Sequence, residues 1–182
     1  MDTDIWWHSA NAWLQSSEEG GGAATQALVS GLRTSEQFVL SNIRLWWNAD
    51  REHGPCARAL VRNGFVAANL TQTAHESFEQ FMLILAATGQ PRPLIHANTR
   101  ADVSEDEALI LSVLSLCQEG HNGHAIMILK RWLPPTAYRV TLKNMIAFAG
   151  LAAVEGLVLP LRFKVANDMR PATRPGPRYL LH

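Results

Sequence analysis

The chain has 182 residues, and its 16 basic side chains balance 16 acidic ones. That length suits one domain, or one domain with terminal extensions, and can bury a core without a disulfide or metal as staple. A neutral chain lacks the charge bias of a nucleic-acid-binding or membrane-surface protein, and it also lacks the net repulsion that keeps copies apart.

Its N-terminus, MDTDIWWHS, opens with acids, and the apolar run behind it is too short for a signal peptide. No apolar run approaches the ~20 residues that span a bilayer. These features place the protein in the cytoplasm as a soluble chain. The spacing predicts a first helix over 4–17, with Trp6, Ala10 and Trp13 on one face and Trp7 beside them. Gly20 to Gly22 ends that unit, so residues 1–19 form a Trp-rich element on a flexible joint. Two adjacent tryptophans on a helix point about 100° apart, so Trp6 and Trp7 cannot both face one core. Trp6, Trp7 and Trp13 are therefore candidate interface anchors.

Residues 23–166 read as the helical bundle domain. A short helix is expected over 23–32. Thr34 or Ser35 starts the next, with Thr34 and Gln37 at capping-box spacing. Phe38, Val39, Asn42, Ile43, Trp46 and Trp47 give it a broad apolar stripe down to about Asp50. Trp46, Trp47 and Asn42 could wall a small ligand pocket, although core packing is the better explanation of the two tryptophans. Arg44, Arg51, Arg58 and Arg62 read as solubilising charge. Pro55 fits the first position of a new helix, and a bend is expected near Asn63-Gly64. A long helix then runs to about Thr88, with Leu70, Ala74, Phe78, Phe81, Met82 and Leu85 as its core face.

Pro91 to Val103 is a connection in which Leu94-Ile95 tucks under the bundle. Ser104 and Glu107 form a capping box, and the acids at 105–107 complement the helix N-terminus. Leu109, Ile110, Val113, Leu114, Leu116 and Cys117 follow at helical spacing. Another helix spans 124–132, and Pro134-Pro135 forbids its continuation. Thr136 is expected to cap the segment 136–156, the most apolar long stretch of the chain. From Met145 to Val154 it carries no charge, which suggests a central helix covered on all sides. Leu157 to Val165 ends in strand-like alternation, weakened by Pro160. Residues 167–182, rich in Pro and Arg, read as a mobile tail.

Chemistry-bearing motifs are sparse. The chain has no GxGxxG, no GxxxxGK[ST], no GxSxG, no HExxH and no Glu-x-x-His. Cys56 and Cys117 lie far apart and form no CxxC. One candidate metal set is left. His75 and Glu79 are one helical turn apart, and His121 and His124 flank a glycine-rich loop; converged, the four could hold a divalent ion such as zinc. A solvated helix face and a helix-to-helix turn suit the same residues, and that is the preferred reading. No other cofactor is implied. The sequence thus predicts an all-α bundle of about six or seven helices with a short extended C-terminal segment. Its expected role is association with protein, most simply as a homodimer, with no catalysis evident and no nucleic-acid or membrane partner. The alternative is a small-molecule- or metal-binding bundle, possibly an enzyme.

Overall fold

The computed structural model describes residues 27–49 and 55–162. The predicted Trp-rich helix over 4–17, the glycine triplet and the tail at 167–182 lie outside the described residues. Within them the protein is an all-α bundle of six helices: α1 (Thr34–Trp47), α2 (Pro55–Ala67), α3 (Gln72–Thr88), α4 (Glu105–Gln118), α5 (Asn122–Leu129) and α6 (Pro135–Val154). A single 3-10 turn, Val29–Gly31, precedes them where a helix over 23–32 was expected.

The cap of α1 differs from the expected one. Thr34 is already inside the helix, and the Glu36 carboxylate accepts the Arg33 backbone N–H at 2.8 Å. Gln37 donates to the Val29 and Leu32 carbonyls, which ties the preceding turn to the helix. Ala57, Val61 and Phe65 form a narrow buried stripe on α2. No bend occurs at Gly64, which stands inside α2 and faces the Asn42 side chain of α1. The glycine serves close approach of two helices, and its propensity cost is offset by that packing. The chain breaks five residues later, at Asn69, whose φ of 57° lies in the left-handed region. Thr71 then caps α3 by accepting the Ala74 N–H.

The expected core face of α3 is buried in full. Phe78 meets Phe65 of α2, Phe81 and Phe148 of α6, and Phe148 also meets Phe65 and Phe81, with ring centroids 5.1–5.9 Å apart. This aromatic cluster joins three helices. In the 91–103 connection Ile95 tucks under the bundle as expected, whereas Leu94 points outward. Helix α5 begins at Asn122 and ends at Leu129, earlier at both ends than the sequence suggests.

Helices α3, α4 and α5 all pack against α6, as a central helix requires, but α4 is the more deeply buried of the two. Every side chain from Glu107 to Cys117 is buried. Ser112 donates to the Ala108 carbonyl and Ser115 to that of Leu159, so these hydroxyls are satisfied inside the core. Helix α6 buries only Thr141, Leu142, Met145, Phe148, Ala149 and Ala152. Its opposite side, with Ala147, Gly150 and Val154, is exposed. The expectation that Met145 to Val154 must be covered all round fails because alanine and glycine present little apolar area, so leaving them in water costs little. Nor does Thr136 cap α6: the helix starts one residue earlier, with Pro135 at its first position.

Trp132 Nε1 donates to Asp106 at the start of α4, and Gln118 at its end donates to the Ala149 carbonyl of α6, so α4 and α6 run in the same direction. Helix α3 runs opposite to α6, since Gln90 N–H meets the Trp132 carbonyl and Asn69 meets Glu155. The stretch after Gly156 is extended but joins no sheet. Gln118 takes the place of a strand partner, donating to the Leu157 carbonyl and accepting the Leu159 N–H. The one β-bridge among the described residues joins Leu28 to Asp102.

Candidate functional site

The densest polar constellation is buried between α1, the 94–104 connection and the start of α4. Arg44 and Glu107 are 2% and 0% exposed. Arg44 Nε and Nη2 meet the two Glu107 oxygens at 2.8 and 2.9 Å, a bidentate fork. The remaining guanidinium N–H groups reach the carbonyls of Arg100 at 2.7 Å and Asp102 at 2.6 Å. Glu107 also accepts the backbone N–H groups of His96 and Ser104. Ser104 Oγ donates to the Leu94 carbonyl and accepts the Glu107 N–H. Asn48 bridges the Arg44 and His96 carbonyls.

Each Glu107 oxygen accepts two donors, so the carboxylate is fully engaged within the protein. The arrangement fastens the non-helical connection over 89–104 onto the bundle. The capping box was legible in the sequence; its link to Arg44 was not, and the reading of Arg44 as a solubilising charge is overturned. A signal was present, because Arg44 falls four residues after Leu40 and next to Ile43 on the buried stripe of α1.

At the outer edge of this network His96 Nδ1 lies 3.4 Å from an Asp102 carboxylate oxygen. Arg100 donates twice to Asp102. Those hydrogen bonds hold the Asp102 carboxyl at about 2, below its ordinary 3.8.

The four candidate metal ligands do not converge. Among the described residues no group of three or more His, Cys, Asp or Glu is placed to hold an ion. His75 is not on a solvated face: it is buried, edge-on to Phe65 at 5.3 Å, with Glu79 3.9 Å from Nε2. His121 and His124 meet each other, centroids 6.0 Å apart, at the start of α5. Burial, and then the neighbouring His121, lower the His124 pKa. The His121–His124 pair sits at the turn before α5, whereas His75 packs in the aromatic core on α3, so the two sets stay apart.

The suggested Trp46, Trp47 and Asn42 pocket is filled. Arg58 stacks over Trp46 and Arg92 over Trp47, at 5.9 and 5.0 Å. Asn42 donates to the Phe38 carbonyl and abuts Gly64. A small cleft does open beside Glu36, Ser112, Pro160 and Arg162, with room for about one water molecule. There Arg162 forms a bidentate pair with Glu36, which ties the C-terminal segment to the start of α1. Trp6, Trp7 and Trp13 lie outside the described residues. Compared with known proteins, the chain matches no family model, no curated sequence and no solved structure.

Proposed function

We propose that this protein is a helical module that works by associating with protein, most simply with a second copy of itself, and not by catalysis. The observation that supports this reading is the apolar surface left uncovered on two outer helices. Leu60 and Val66 stand out from α2, and Val140 and Val154 from α6. Val154 is 80% exposed. Val140 and Val154 lie on one side of α6, and exposed aliphatic side chains that share a helix face favour an interaction surface. The Trp6, Trp7 and Trp13 segment would add aromatic anchors, and the zero net charge leaves self-association unopposed. Both cysteines are unpaired, which suits a reducing compartment, and we place the protein in the cytoplasm. No helix among the described residues is long and apolar enough to cross a membrane.

Sedimentation velocity of the full chain from low to high micromolar concentration tests this function. A concentration-dependent shift from one to two copies is expected. A single monomeric species over the whole range, with no partner recovered from the source cell, removes the reading.

A further inference from the structure

We propose that residues 157–162 form an exchangeable strap, and that two copies associate by each docking this strap into the groove between α1 and α4 of the other. This rests on the association reading and gives it a segment, a hinge and a receptor site.

The side chains that hold the strap would hold an incoming segment equally well. Gln118 of α4 donates to the Leu157 carbonyl and accepts the Leu159 N–H, at 2.9 and 2.8 Å. Ser115 of α4 donates to the Leu159 carbonyl, and Ser35 of α1 to that of Val158. Leu159 is buried beneath these bonds. Beyond Pro160, the Arg162 guanidinium forks onto the buried Glu36 carboxylate. Main-chain bonds, one apolar anchor and one charged end are how an extended peptide is recognised. Proline keeps the residue before it extended, so the strap is shaped for the groove before it docks.

These partners belong to α1 and α4, whereas the strap is carried by α6. An empty groove would leave the Glu36 carboxylate buried without its counter-ion and the Leu159 side chain in water, so the strap has to sit in one groove or another. A second copy supplies the same Leu159-to-Arg162 order at the same spacing, and exchange with it keeps every bond. The hinge and the concentration then set the balance between the two arrangements.

Gly156 is that hinge. Its φ of 81° is left-handed and turns the chain out of α6, where the Leu157 N–H meets the Ala152 carbonyl. An opened hinge runs on from the helix and needs no left-handed residue, and glycine accepts both forms. Val154 and Val158, 80% and 52% exposed, stand on either side of it. In an exchanged pair the two connecting segments pass each other near the two-fold axis, where these aliphatic side chains gain cover.

The test uses the full chain in sedimentation equilibrium, with circular dichroism to confirm that each variant folds. A Cβ added at Gly156 would meet nothing within 4 Å, so Gly156→Ala acts through the backbone alone. It penalises each closed, left-handed hinge roughly fivefold and spares the open one, so with two hinges per dimer the dissociation constant should fall about thirtyfold. Glu36→Lys and Arg162→Glu each set like charges together in the groove, whether the strap is the chain's own or comes from an identical copy. Mixed in equal amounts, the two variants regain both opposite-charge pairs only by reciprocal exchange. A heterodimer is therefore expected where neither variant dimerises alone. If Glu36→Lys does not fold, the Gly156→Ala comparison decides by itself. A wild-type dimer that Gly156→Ala tightens by less than about twofold overturns the exchange and leaves the association reading standing. So does a mixture of the two folded charge variants without heterodimer. A monomer in both wild type and Gly156→Ala throughout the micromolar range overturns the exchange and the association reading together.

Discussion

Replacing Arg44 by Met tests whether the buried ion pair holds the bundle together. The substitution keeps the length and apolar stem of the side chain but removes four hydrogen bonds: two to Glu107, one to the Arg100 carbonyl and one to the Asp102 carbonyl. Glu107 would keep the N–H groups of His96 and Ser104 but would be a buried charge without a counter-ion. Breaking a buried pair from one side costs about 3–5 kcal/mol. Against a typical domain stability of roughly 5–15 kcal/mol, that is a large fraction of the total. For a chain of this size each kcal/mol moves Tm by about 2–4 °C, so a fall of roughly 10 °C is expected. Urea denaturation of Arg44→Met, Glu107→Gln and the double variant closes the cycle. Because the Gln oxygen can still cap α4 without a charge, the double variant should be less unstable than the sum of the singles by at least about 1 kcal/mol. If Arg44→Met costs under about 1 kcal/mol, or if the two changes simply add, the pair is not the clasp described here.

Gly64→Val should destabilise by about 1–3 kcal/mol in urea, because even a Cβ at this site meets Asn42 Oδ1 at 3.3 Å; equal or higher stability would mean that α1 and α2 are not in close contact there. Ellman's reagent at pH 8 should titrate one thiol, exposed Cys56, in the native protein and a second only in denaturant, since burial pushes the Cys117 thiol up to about 12. Two fast native thiols would contradict the packing of α4. A carboxylate whose pKa is depressed on folding adds stability above its unfolded value, and that stability is lost as pH falls towards the folded value. Stability should therefore decline between about pH 4 and pH 2 through Asp102, held low by Arg100. Asp102→Asn should flatten that part of the curve of urea midpoint against pH, and an unchanged slope would exclude the Arg100–Asp102 pair as its source.

Much of the architecture was readable because it depends on short-range rules. The Ser104–Glu107 box, the Gly89 stop of α3 and the core stripe from Ala74 to Leu85 need only neighbours within one or two turns. The break misplaced at Gly64 shows where such rules end. A glycine inside a helix costs the same whether it bends the chain or admits a neighbouring helix, and only the position of Asn42 on α1 tells the two apart. His75 illustrates the same limit: its spacing to Glu79 reads as a solvated pair until Phe65 of α2 covers it.

The sequence by itself determined the class of the protein: helical periods, caps and breakers specify an all-α chain because each acts through the local backbone. Which helix is buried on every side was decided by tertiary structure. Hydropathy counts apolar residues, whereas burial depends on apolar area and on whether polar groups find partners. Helix α4 could go inside because Glu107, Ser112 and Ser115 are satisfied there by Arg44, Ala108 and Leu159, groups up to 63 residues away. Helix α6, greasier by count, could leave one face in water because Ala147 and Gly150 leave little surface to hide there.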